Sequence, residues 1–227
     1  MTFPTQIARA FAPAVAVAMF AAPAAAATNA DLAKVEAHLA ATQTMTSNFV
    51  QTDSKNRAIR GTLQIKRPGR IRFEYGGGAN MLLVGNGKTL TFIDYDVGQK
   101  SSWPVEKSPL SVLLSGKPDL QRIATVVGTK DPRVLLIRAR DARRPEFGTI
   151  LLGFVRSPAA PGGLLLEGWT AIDAQNKRTT VKLDNQRYNV AVGEGAFAYA
   201  EPKKRGHGSS VTSSKGKPFI ARSGTVG

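Results

Sequence analysis

The sequence predicts a mainly β chain with a few helices, and three observations carry that expectation. Side-chain character alternates with period two over successive stretches from Thr62 onward, as half-buried strands require. Turn dipeptides, Pro68-Gly69, Asn86-Gly87 and Gln175-Asn176, divide those stretches at short intervals. Helical spacing of apolar residues occurs in two places, once ahead of the alternating stretches and once inserted among them.

The first helix is expected from Asn29, a capping residue, with Leu32, Val35 and Leu39 on its apolar stripe and His38 beside that stripe as a surface or boundary residue. Strands follow at 62–66 and 70–75, where Leu63, Ile65, Ile71, Phe73 and Tyr75 alternate with polar residues. A third strand spans 81–84, and Asn86-Gly87 turns it into a fourth at 89–93, containing Leu90 and Phe92. Ser108-Pro109 opens a short apolar helix of Leu110, Val112, Leu113 and Leu114, ended by Gly116, with proline in the first turn and glycine past the last. Further strands are expected at 99–103, 123–127, 134–139, 149–155, 164–172 and 178–183, the last extending toward Arg187; residues 157–163 form a loop. The result is an antiparallel meander of about ten strands in one domain, without an internal repeat.

Composition narrows the chemistry. The chain has 227 residues, no Cys and two His, so disulfides, thiol nucleophiles and Cys-ligated metals are excluded, and no metal or cofactor site is expected. Residues 10–22 are almost wholly apolar, follow Arg9 and precede Pro23 and a run of alanines, the order of a secretory leader cleaved before Thr28. That stretch is shorter than the roughly 20 residues a membrane span needs. The net charge is +15; residues 203–227 hold six bases and no acid, and with Arg9 removed the body 28–202 keeps +8. The tail 203–227, rich in Gly, Ser and Lys, is expected to be disordered. Residues 28–202 are thus the folded domain.

Catalytic constellations are scarce. Asp94 and Asp96 share a strand face but stand where turn acids are common, residues 76–78 lack the Gly-Lys-Ser/Thr of a phosphate loop, and no Ser sits in a glycine-flanked elbow. No enzyme activity is therefore expected. Lys66, Arg70 and Arg72 interleave with apolar residues, but alternation sends the cations to one face and the aromatics to the other. Base stacking needs both in one groove, and only 7% of the chain is aromatic, so no nucleic-acid partner is expected. Leu63, Ile65, Ile71, Phe73, Tyr75, Leu90 and Phe92 share one face of consecutive strands. That face is either an ordinary core or a surface for an apolar ligand.

Three motifs in order, Phe49 and Gln51, then Gly61 and Leu63, then Lys66-Arg67-Pro68 through Arg72, Phe73 and Tyr75, resemble the periplasmic outer-membrane lipoprotein carrier family of the LolA type. The hairpin Gly85-Asn86-Gly87-Lys88 with Leu90, the turn Asp94-Tyr95-Asp96 with Gln99, and the closing Phe197 and Pro202 are similar to it as well. The resemblance implies an unclosed antiparallel β-barrel covered by a helical lid, a half-barrel whose hydrophobic cavity receives lipoprotein acyl chains. It also implies a monomer in the periplasm that takes acylated lipoproteins from an inner-membrane ABC transporter and hands them to an outer-membrane receptor. Arg67 falls on the family arginine whose hydrogen bonds hold the lid shut. Ile71 and Phe73 fall on cavity positions, with Leu63, Ile65, Tyr75, Leu90 and Phe92 beside them, and Leu110, Leu113 and Leu114 fall where the family has lid helices.

The chain departs from the family pattern at several points. Ile71 stands for an aromatic residue, Phe73 for Trp and Asn86 for Asp, residues 76–78 for a segment with Pro, and the basic tail has no counterpart. A lipid or glycolipid binder, or an envelope domain sensing lipidated proteins, fits the same fold; a cationic structural envelope protein and a hydrolase are the readings from other classes.

Overall fold

In the computed structural model of the protein, residues 24–203 are described. Helix α1 (Ala24–Ala41) leads into β1 (Thr44–Thr52), β2 (Ala58–Lys66), β3 (Arg70–Tyr75), β4 (Met81–Asn86), β5 (Thr89–Asp94) and β6 (Gln99–Pro104). Two single-turn helices, α2 (Ser111–Leu114) and α3 (Leu120–Ile123), precede β7 (Ala124–Val127), β8 (Val134–Ala139), β9 (Thr149–Arg156), β10 (Leu164–Ile172) and β11 (Arg178–Tyr188). All eleven strands form one antiparallel sheet in the order β6-β5-β4-β3-β2-β1-β11-β10-β9-β8-β7, so β6 and β7 are its edges and the barrel stays open.

The register sorts side chains between the two faces. Leu63 lies opposite Phe73, Ile65 opposite Ile71, and Leu83 opposite both Phe73 and Phe92, which brings the predicted apolar positions onto one concave face. Leu82, Val84 and Ile93, one residue out of phase, form a smaller cluster on the convex side with Phe197. The chain after β11 runs over that convex side as a strap. Lys66 donates to the Val192 carbonyl (3.2 Å) and the Glu194 carboxylate (2.6 Å), Arg70 also pairs with Glu194, and Arg72 donates to the Ala198 carbonyl (2.9 Å). The cations that alternate with the aromatics in the sequence therefore fasten this strap.

Several expectations need correction. Helix α1 begins at Ala24, so Asn29 lies within it and is exposed instead of capping it. Strand β1 was not expected from the residues, because its inward positions alternate apolar Met45 and Phe49 with polar Ser47 and Gln51. The inserted helix is one turn, with Pro109 and Leu110 before it, and a second turn, α3, stands ahead of a strand that starts at Ala124. The expected leader lies outside the described residues except for 24–27. The expected tail likewise lies outside the described residues beyond Lys203.

Candidate functional site: a covered apolar face

Helix α1 buries Leu32, Val35, His38 and Leu39 on one side, and α2 with its flanks buries Leu110, Leu113 and Leu114. Both pieces join the same core cluster as Leu63, Ile65, Ile71, Phe73, Tyr75 and Leu90, all of them 5% exposed or less. Phe92 lies on the same face but is half-buried, packing against the cluster from its margin. At the centre, Phe73 meets Phe49 edge-on (centroids 5.0 Å apart) and Trp169 edge-on (6.0 Å), and lies parallel to Tyr75 (6.2 Å). Phe49 and Trp169 escaped the site prediction. Phe49 hides in a polar-looking strand, and Trp169 sits beside a β-bulge that shifts the inward phase of β10.

One polar pair stands on this face: the Tyr75 hydroxyl donates to Gln51 Oε1 (3.0 Å), and burial pushes the phenol far above its ordinary range, so it stays a neutral donor. The pair satisfies its own bond, and Ser47 is the other buried polar side chain that β1 turns to this face. Elsewhere, the Asp94 carboxylate accepts from the Asp96 and Val97 amides and so holds its turn.

Arg67 joins the cover to the sheet. It follows β2, is 6% exposed, and donates from Nε to the Leu113 carbonyl (3.0 Å) and from a terminal nitrogen to the Thr42 carbonyl. Leu113 belongs to the last turn of α2, and Thr42 lies just past the end of α1. Helix C-termini leave carbonyls without intrahelical donors, and one guanidinium here serves two of them. The Gly69 amide adds a bond to the Leu114 carbonyl (2.9 Å). Burial pulls the Arg67 pKa down to about 10, with the Tyr188 phenol acting in the opposite direction, so the group remains charged at neutral pH.

His38 differs from expectation: it is fully buried. Its Nδ1 donates to the Pro161 carbonyl (2.7 Å), its ring meets Phe154 and Tyr188 edge-on, and Nε2 lies buried without a partner. Gly162 makes this fit possible, since a Cβ there would stand 2.8 Å from the His38 backbone. Burial lowers the His38 pKa below its ordinary value; the nearby Arg67 charge lowers it further, against hydrogen bonds to Pro161 and Leu164 that raise it. In acid the unfolded chain therefore takes up a proton more readily than the folded one. Stability is complete above about pH 6.5, the unfolded histidine value, and declines as pH falls below it, by at most ~1.4 kcal/mol per unit. Urea midpoints measured between pH 7.5 and 5 should fall for the native protein and fall less for His38→Gln. Equal slopes would detach this dependence from His38.

An open antiparallel half-barrel whose largely apolar concave face is closed by helices defines a class of covered open-barrel folds. The chain belongs to a known family of that class: the family model "Outer membrane lipoprotein carrier protein LolA" matches residues 40–200. The outer-membrane lipoprotein carrier protein of Chromobacterium violaceum is 28% identical over 180 residues, covering 76% of this chain and 84% of the relative. That of Methylobacillus flagellatus is 27% identical over 179 residues, covering 74% and 83%. Among solved structures, MucB aligns with a TM-score of 0.47 at 12% identity over 79% of this chain and 65% of that one, slightly under two thirds of its length.

Proposed function

We propose that the protein is a periplasmic carrier whose concave face takes the acyl chains of a lipoprotein when α1 and α2 move off it. It receives that cargo from an inner-membrane lipoprotein-releasing ABC transporter and passes it to an outer-membrane receptor. The observation that carries this reading is Arg67: a buried cation whose side chain bonds helix-end carbonyls fastens both parts of the cover over a largely apolar face. In the closed form that face is filled by the cover's own leucines and valines. Cargo and cover therefore compete for one surface, and each methylene of an acyl chain placed there contributes roughly 0.8 kcal/mol. Such competition lets loading and release proceed with small changes in free energy. Family membership, and relatives named as lipoprotein carriers, support the same reading.

The test is direct. Purified protein should bind a fluorescent apolar probe saturably, acylated lipoprotein should displace it, and the protein should release lipoprotein from spheroplasts. A protein that binds neither probe nor lipoprotein is no carrier.

A further inference from the structure

The excess of positive charge is not used by the apolar face, and its distribution is uneven. The register places the turns β1–β2, β8–β9 and β10–β11 at one end of the sheet, since Thr52 lies opposite both Ala58 and Thr180, Ile172 opposite both Arg178 and Thr149, and Ala139 opposite Ile150. Arg67 and α2 belong to the other end. The three segments at the first end, residues 53–60, 138–148 and 173–178, carry nine Lys and Arg against four Asp and Glu. Arg60, Arg140, Arg143 and Arg178 are exposed and join no ion pair among the described residues. Two of the four acids are already engaged: Asp53 pairs with Arg57 (2.6 Å), and Asp141 with Arg122 and Arg144.

Two further observations meet at this end. Val97 and Tyr199, at 39% and 38% exposure, are the large apolar side chains that the described surface leaves exposed. Val97 lies in the β5–β6 turn, which the pairings of Asp94 with Met81 and Gln99 place at the same end. Tyr199 lies on the strap, where Tyr95 bonds the Ala200 carbonyl and Lys100 pairs with Glu201 (2.6 Å). The strap's last described residues thus lie at this end. Of the acids on this side, Glu74 is held by Arg72 and Glu201 by Lys100, Asp94 holds its turn, and Asp96 beside Val97 joins no ion pair among the described residues.

We infer that this end of the barrel is a docking surface for anionic phospholipid. The cations are spread over the ends of six neighbouring strands, roughly 24 Å at the usual strand spacing. They are spread over three turns, and Arg140 alone of the four lines the cavity between the β8–β9 and β10–β11 turns, so they suit a planar charged surface better than one acidic protein side-chain set. An aliphatic and an aromatic side chain at the same end, toward the β5–β6 side of the sheet, suit the headgroup boundary, where such residues insert while bases meet lipid phosphates. Docking this way holds the carrier at a membrane with Arg67 and α2 turned outward, and it leaves the covered face untouched.

The experiment is flotation of the full chain with vesicles of phosphatidylcholine alone and with added phosphatidylglycerol. The native protein should bind only the anionic vesicles and lose them in about 0.5 M salt, where charges are screened within a few ångströms. Arg140→Gln, Arg143→Gln and Arg178→Gln together should weaken binding about a hundredfold. The same number of changes at the other end, Lys88→Gln, Lys117→Gln and Lys130→Gln, should leave it near the native value. Apolar-probe binding should be native in both triple variants, which keeps this result separate from the carrier reading. The inference is overturned by absent vesicle binding, by equal loss in the two triple variants, or by binding that vanishes with the bases of residues 203–227 yet ignores the arginine changes. Selective capture of an acidic protein without vesicle binding overturns it equally.

Discussion

Arg67→Leu should bind an apolar fluorescent probe more readily than the native protein, exchange its amide hydrogens faster at 111–114 and 38–42, and lose about 2 kcal/mol of stability. The substitution removes the donors that satisfy the Leu113 and Thr42 carbonyls, and a buried acceptor left alone costs ~1–3 kcal/mol. Part of that loss is offset, because the native guanidinium is itself penalised by burial, as its lowered pKa records. The net effect falls on the covered state more than on the sheet, whose ladder does not use the Arg67 side chain. Arg67→Lys retains the charge but not the planar fork, and should lie between the two. In lipoprotein transfer, the leucine variant should load and fail to complete the cycle, since a cover that no longer closes removes the competition that expels cargo. Native exchange rates at both helix ends in Arg67→Leu would take the arginine out of the mechanism.

Much of this arrangement is legible in the residues. The strand pattern from Thr62 to Ile93 reads directly, because β2 and β3 alternate cleanly over 62–66 and 70–75, β4 is a short apolar run, and the turns carry Pro68-Gly69 and Asn86-Gly87; Gly69 and Gly87 both adopt positive φ there. What escapes is whatever depends on a partner distant in sequence. Strand β1 has no clean alternation, since Ser47 and Gln51 face inward, and Gln51 becomes tolerable there only through Tyr75. His38 reads as a boundary residue because its neighbours on α1 are mixed. Its burial is decided by the 157–163 loop, more than a hundred residues away, whose Gly162 lets the helix approach. Arg67 stands out in the sequence only through the family resemblance. Composition alone gives no reason for an arginine to be 6% exposed, and the reason, two helix ends meeting at one point, is a property of the fold.

Phe73→Ala should be the most damaging of the single changes to the apolar face, lowering stability by ~3–5 kcal/mol, a large share of the ~5–15 kcal/mol that holds a typical domain. Its ring is 2% exposed and touches three other aromatic rings contributed by β1, β3 and β10, so neighbours on separate strands cannot collapse together into the space it leaves. Phe92→Ala, on the same face but half-buried at its margin, should cost well under half as much, because less apolar area returns to water. Urea midpoints of the two variants test this ordering, and equal losses would contradict the packing described. The carrier reading adds a second expectation. The void left by Phe73 is apolar and stays dry, so an acyl-bearing ligand gains a place there that the native face fills. Ligand at a hundred times its Kd stabilises a protein by about 2.7 kcal/mol, and for Phe73→Ala that would restore more than half of the loss. The native protein should gain less from the same ligand concentration, since its ligand must first displace α1 and α2. An ordinary core would offer only a ring-sized closed void, which a long acyl chain cannot enter, so it would show the same loss without rescue by that chain, and this difference separates a packed interior from a face held ready for cargo.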